Sequence, residues 1–229
     1  MQSSGIDAEH HPLIDILTEA ALGRPPVADG GLTVLPALPE GRHCVMGFTA
    51  HHVIAAAIDE DTIRQRLDPT DLSQPMSAGF LLFLAGWLGV EPGTLDVLLV
   101  APRPSPLADD ALALWRRDDL FDHPRVQRAG RYRPDIVVFA DREHGEPDGV
   151  LVIGRGIAGR WEMAYEVAPA ARGRGLGRAL ARAAPRLVAD NVPLFAQVAP
   201  GNAASMRACL AAGYRPVGSE ILFAQSSRP

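Results

Sequence analysis

The sequence contains no lysine: all 22 of its basic residues are arginine. That absence excludes Schiff-base chemistry and any lysine nucleophile, and it fits the codon bias of a GC-rich genome. Cysteine is almost as scarce. Cys44 and Cys209 stand far apart and in no CxxC pattern, so neither a disulfide framework nor a thiolate zinc site is supported. A cytoplasmic, metal-free protein is the expectation. Long apolar runs are missing too, since the most apolar stretch, Phe80 to Val90, is too short to span a bilayer. The N-terminus lacks a basic segment followed by an apolar signal core. Positive charge is not in excess either. A formal charge of −5 argues against nucleic acid and anionic membranes as partners, because both are bound by neutralising many phosphates.

What is present suffices for a folded core. A hydrophobic fraction of 47% beside a charged fraction of 21% is ordinary for a globular protein, and 229 residues suit one domain with an extension or two small ones. Pro12 to Leu22 reads as an amphipathic helix ended by Gly23, followed by a proline- and glycine-rich passage up to Gly41. Val45 to Phe48 and Val53 to Ile58 suit a hairpin or a strand entering a helix. Asp59 is a helix cap, Ser77 to Leu88 a buried helix and Thr94 to Val100 a buried strand. His51 and His52 point to opposite faces if they lie on a strand, so one is expected to pack and the other to meet solvent. Residues 1–92 therefore form an N-terminal extension or small α/β domain without assigned chemistry, and 93–229 form the domain that carries it.

The second half is better punctuated. After a helical pattern over Ala111 to Leu120, the segments Asp135 to Ala140, Val150 to Gly154 and Arg160 to Val167 read as a three-stranded antiparallel meander. There follow a glycine-rich loop, a helix from about Gly175 that Pro185 should kink or end, a strand Leu194 to Val198, and a helix Ala203 to Ala212. A last strand pair spans Tyr214 to Phe223.

Two segments carry chemistry. In Val167-Ala-Pro-Ala-Ala-Arg172-Gly173-Arg174-Gly175-Leu176-Gly177-Arg178 a strand runs into glycines and then into a helix. Such a turn directs backbone N–H groups and a positive dipole end at an anion, and a diphosphate suits it. Arg172, Arg174, Arg178 and Arg182 add charge, with no acid between Ala168 and Val188. The spacing is not that of a dinucleotide-binding G-x-G-x-x-G, and structural punctuation stays open as the plain alternative. The other segment runs from Pro200 to Tyr214. Asn202 reads as a helix cap and Gly213 as the stop, with Asn202 and Ser205 on one face about 25 residues beyond the loop.

Together these segments resemble the GNAT superfamily, whose R/Q-x-x-G-x-G/A signature is met by Arg172-Gly-Arg-Gly175-Leu-Gly177. The resemblance covers about Thr94 to Phe223. It implies an α/β (α+β) fold with a mixed, mostly antiparallel sheet flanked by helices. It also implies an N-acyltransferase in which an amine attacks acetyl-CoA, or another acyl-CoA, without a covalent enzyme intermediate. Carried onto this chain, the backbone of Tyr165, Glu166 and Val167 would bond the acyl carbonyl and pantetheine. Gly173 to Arg178 would hold the diphosphate, and Asn202 and Ser205 would contact the pantetheine or phosphate side. Fixed donors of this kind contribute about 3 kcal/mol each to an oxyanion. Where many members have a tyrosine that protonates the leaving thiolate, this sequence has Cys209, either a proton donor or a small packing residue. Glu162 and Glu166 are the candidate bases, on the same side of their strand unless a bulge breaks the parity. The expected partners are acyl-CoA and an amine-bearing small molecule or peptide, with a homodimer left open. The alternative from another class is a non-catalytic acyl-CoA-binding module on the same fold.

Overall fold

The computed structural model describes residues 10–104 and 112–225. In chain order the elements are α1 (Leu13–Ala21), β1 (Leu32–Leu35), β2 (His43–Phe48), β3 (His51–Ala55), α2 (Glu60–Arg64), α3 (Ala78–Leu88), β4 (Val90–Val100) and β5 (Trp115–Arg116). These are followed by α4 (Pro124–Gly130), β6 (Ile136–Ala140), β7 (Gly149–Arg155), β8 (Trp161–Val167), α5 (Leu176–Ala183), β9 (Leu194–Val198), α6 (Ala203–Ala211) and β10 (Arg215–Gln225). The strands form one sheet in the order β1-β3-β2-β10-β4-β9-β8-β7-β6-β5, antiparallel except for the β1/β3 and β8/β9 pairs. β10 pairs β4 on one edge and β2 on the other, so residues on both sides of position 92 belong to the same sheet.

Local chemistry sets the helices. In α1, Leu13, Leu17, Ala20 and Ala21 recur at helical spacing and all are buried. Asp59 caps α2 by accepting from the Thr62 N–H at 2.8 Å, and Ser77 caps α3, which Gly89 ends in the left-handed conformation. α5 stops at Ala183, where Pro185 turns the chain into a short 3-10 segment, as its missing N–H requires. α1 covers one sheet face through Leu13 and Leu17 against Cys44, Met46, Leu98 and Phe195. α5 and α6 cover the opposite face, where Leu180, Ala181 and Cys209 meet Leu99, Leu151, Met163 and Ala196. Each fully buried leucine contributes about 1.5–3 kcal/mol.

The feature that shapes the site is the short β8/β9 pairing. Trp161, Glu162 and Met163 align with Leu194, Phe195 and Ala196, and there the ladder ends. β8 stays paired with β7 as far as Val167, and β9 with β4 as far as Val198. The two strands are thus held by different neighbours beyond Met163, and the sheet opens between them. The β7/β8 register runs without a bulge, so Glu162 and Glu166 do share a face.

Three expectations need correction. The helical pattern over Ala111 to Leu120 gives β5 and a 3-10 turn instead, with Ala111 outside the described residues. Buried Arg117 explains the extended chain: it donates to Asp119 at 2.6 and 2.7 Å and to the carbonyls of Arg142 and Gly145, tying the segment to the β6–β7 turn. The expected final strand pair is the single strand β10, in which Pro216 and Gly218 flank a register shift rather than a turn. A Cβ on Gly218 would stand 2.6 Å from the Gly47 carbonyl oxygen, so glycine there serves close strand approach. Finally, both His51 and His52 are buried, because β3 is flanked by β1 and β2, and His51 is held by Thr33 and Asp29.

Candidate active site

A cleft of about 340 Å³ occupies the opening between β8 and β9. It is lined by Tyr165, Asn202, Ser205 and Cys209 and also by Asp96, Arg125, Arg128 and Arg133. Four buried side-chain atoms that close no hydrogen bond of ordinary geometry lie along it: His43 Nδ1, Arg125 Nε, Tyr165 Oη and Gln197 Nε2. Leaving such a group unsatisfied costs about 1–3 kcal/mol, so their gathering in one cleft marks where a ligand's polar atoms belong.

Arg133 fixes the orientation of Gln197. Its guanidinium has only donors, so the Gln197 carbonyl oxygen faces it at 3.0 Å and the amide N–H₂ is turned away, as an unpaired donor. Tyr165 comes from β8, and its ring packs over Gly177, where an added Cβ would stand 3.2 Å from the ring. The hydroxyl stands beside Ser205 and Cys209, and burial pushes its pKa up to about 12. Burial likewise raises the Cys209 thiol to about 11. Both therefore stay protonated at neutral pH. Cys209 is 0% exposed and the Tyr165 hydroxyl is buried too, although the tyrosine as a whole is half-buried; both residues line the cleft, and of the two groups the phenol is the one left without a hydrogen bond of ordinary geometry.

Beside the opening lies a buried ion network. Arg160 makes two bonds to Glu220, at 2.6 and 2.7 Å, and one to Glu162 at 2.7 Å, while Arg133 holds the other Glu162 oxygen at 2.7 Å. Burial works to raise the Glu162 pKa, but the two arginines outweigh it and keep the carboxylate below its usual value. Both oxygens of this candidate base are committed to guanidinium donors, which leaves it a weak proton acceptor. Glu166 lies on the same strand face, outside the residues that line the cleft.

Asp96, which sequence reasoning passed over, is the acid in the cleft with a raised pKa. It sits on β4 directly opposite Glu220 of β10. Burial first, and then the Glu220 charge, raise its pKa to about 6. A carboxylate tuned to that value is largely ionised at neutral pH yet basic enough to take a proton. The signal was a lone acid in the strand Thr94-Leu-Asp96-Val-Leu-Leu-Val100.

The glycine loop lies at the end of β8. Arg172 Nε donates to the Val167 carbonyl at 3.0 Å, tying the loop to the strand. Gly173 and Gly175 have φ of 77° and 87°, and nothing lies within 4 Å of a Cβ added at either. Gly175 is the N-cap of α5 and supplies no side-chain bond, so the first N–H groups of that helix face outward without a side-chain cap. Arg174 and Arg178 are exposed beside them, and Leu176 is half-buried. A diphosphate fits this cradle. At α6, Asn202 accepts from the Ser205 N–H at 3.2 Å, so its carbonyl serves as the helix cap while its residue also lines the cleft.

This loop, the opened sheet and the capped α6 coincide with a match in sequence: residues 105–214 fit the model of the acetyltransferase (GNAT) family. The chain carries a GNAT-family domain. No curated protein matches the chain in sequence. Among solved structures it is similar to a GCN5-related N-acetyltransferase from Kribbella flavida, with TM-score 0.46 and 13% identity over 96% of each chain. It is also similar to an acetyltransferase of the GNAT family from Colwellia psychrerythraea, with TM-score 0.43 and 11% identity over 75% of each chain. Neither likeness bears on the chemistry of the GNAT domain's cleft. Among the described residues no helix is long and apolar enough to cross a membrane.

Proposed function

We propose that this protein is an N-acyltransferase that moves an acyl group, acetyl first among them, from acyl-CoA to a primary amine in a ternary complex. The observation that carries the reading is the presence, in one cleft beside an open diphosphate cradle, of a carboxyl with a pKa of about 6 and an unpartnered phenol. A module that only bound acyl-CoA would have no use for the acid.

In this reading the N–H groups from Gly173 to Arg178 hold the diphosphate, and the pantetheine arm lies along Tyr165 to Val167 with Asn202 and Ser205 on its other side. Asp96, rather than Glu162 or Glu166, takes a proton from the ammonium substrate. The freed amine nitrogen attacks the thioester carbon, while the Gln197 N–H₂ and the β8 backbone donate to the developing oxyanion. When the C–S bond breaks, Tyr165 Oη gives its proton to the thiolate and is reprotonated by the proton that the acylated nitrogen loses, the proton taken by Asp96 passes to solvent, and Cys209 packs behind the phenol. Holding both reactants in the 340 Å³ cleft supplies much of the remaining acceleration. The test is thiol release from acetyl-CoA against a panel of primary amines, amino acids and peptide N-termini, with longer acyl-CoAs in parallel. No acyl transfer to any acceptor, although acetyl-CoA binds, would refute the reading.

A further inference from the structure

The cleft is lined by more guanidinium groups, those of Arg42, Arg125, Arg128 and Arg133, than carboxylates, those of Asp96 and Glu162. Arg125 and Arg128 come from α4, and Arg133 lies just beyond it. The three are close enough that Arg133 and Arg128, after burial itself, push the Arg125 pKa down. Arg133 is matched by Glu162. Arg125 and Arg128 make no side-chain hydrogen bond or ion pair with a carboxylate among the described residues, and Arg125 Nε is buried without a partner. The Glu166 charge offsets part of the repulsion at Arg125 but makes no hydrogen bond to its Nε, so an anion seated among the arginines relieves both the remaining repulsion and the missing hydrogen bond. The chain as a whole is negative, at −5, so the cluster is local rather than a general basic character.

The neighbours of the cluster define what the anion is attached to. Asp96, the base in the reading above, lies within the electrostatic reach of Arg128, and Arg125 within that of Tyr165. The positions for the ammonium and for the anion are therefore adjacent, and the cleft is small, at about 340 Å³ shared with the pantetheine arm. We infer that the acceptor is a small amino acid, whose carboxylate is received by Arg125 and Arg128 while its ammonium faces Asp96. This rests on the acyltransferase reading and narrows its substrate class. It also gives α4 a purpose: His123 caps the helix by accepting from the Arg125 N–H at 3.1 Å, with Pro124 at its first turn, which fixes where the Arg125 side chain starts.

The test uses two conjugates in which the sulfur of CoA is joined through an acetyl bridge to the nitrogen of either glycine or methylamine, so that they differ only in the carboxylate. Binding is read by calorimetry on the full chain. The glycine conjugate should bind about tenfold tighter or more, as expected for one charge-assisted pair. Arg125→Gln should reduce the gap to about twofold and leave the methylamine conjugate unchanged. Arg128→Gln, at an exposed position that does not threaten folding, should narrow it as well. Equal affinity of the two conjugates for the wild-type chain would overturn the amino-acid inference and leave the acyltransferase reading standing. Loss of affinity for acetyl-CoA itself in Arg125→Gln, by the same factor, would also overturn it, because the cluster would then serve the phosphates of CoA. Failure of both conjugates and of acetyl-CoA to bind at all would instead remove the underlying reading, and the inference with it.

Discussion

Replacing Asp96 by Asn separates activity from stability with opposite signs. The carboxyl is raised from 3.8 to about 6 by burial and by the Glu220 charge, so the folded chain holds more protons than the unfolded one between those values. Stability then falls as pH rises through this window, because the slope follows the protons bound by the unfolded state minus those bound by the folded state. A shift of about two units corresponds to roughly 3 kcal/mol, and the partial exposure of Asp96 reduces that to about 1–2 kcal/mol. At pH 7.5 Asp96→Asn should thus raise the free energy of unfolding by about 1–2 kcal/mol, and it should flatten the decline between pH 4 and pH 6. The same change removes the proposed base, so kcat/KM should fall about 10²-fold or more. In the wild-type chain kcat/KM should climb through a pKa near 6 and then level off, and the variant should lose that inflection. Denaturant titration at several pH values, beside initial rates of thiol release, checks both halves. Unchanged turnover in Asp96→Asn refutes the assignment of the base, and a destabilised variant at pH 7.5 refutes the electrostatic reasoning.

Tyr165→Phe removes only the unpartnered hydroxyl, and should lower kcat about 10²-fold while leaving acetyl-CoA affinity unchanged. Cys209→Ala should cost about 1 kcal/mol of stability with little loss of rate; the reverse pattern in this pair would return the proton donor to Cys209. Arg160→Met should destabilise by about 3–5 kcal/mol, since it strands buried Glu220, and Arg160→Met with Glu220→Leu should recover much of the loss in denaturant midpoint. Acetyl-CoA at a hundred times its dissociation constant should add about 2.7 kcal/mol to the wild-type chain and nothing to Gly175→Asp. Gly175→Asn, which tolerates the left-handed backbone without adding charge, should keep most of that gain, as melting curves would show.

The elements that the sequence disclosed are those written by short-range chemistry. Asp59, Ser77 and Asn202 sit within three residues of the N–H groups they cap, and Pro185 acts on its own turn. The positive φ at Gly173 and Gly175 is likewise a local demand, so the loop was visible as a pattern. Where the outcome depended on distant partners, local reading failed. Arg117 draws its segment into extended form through carbonyls at Arg142 and Gly145, and nothing between Ala111 and Leu120 announces them. Pro216 and Gly218 look like a turn, yet β10 runs straight because β2 and β4 flank it on both sides.

The site divides along the same line. Glu162 stood out as a base because it lies on the strand expected to face the acyl group, but a carboxylate is a base only if its oxygens are free, and both are taken by Arg160 and Arg133. Those arginines lie 2 and 29 residues away, so only one of them was a neighbour in sequence. Asp96 was hidden by the opposite effect: it needs Glu220, which arrives at its side only when the last strand pairs with β4. The missing tyrosine on α6 follows the same logic. A phenol can reach that helix face from β8 as readily as from α6, provided that the residue beneath its ring is as small as Gly177 and the helix position opposite is as small as Cys209. On that argument Cys209 is small because Tyr165 occupies the space, and the two positions should be exchanged together rather than singly: Tyr165→Cys with Cys209→Tyr should retain more activity than either change alone, and non-additive rates in that double-mutant cycle would measure the coupling.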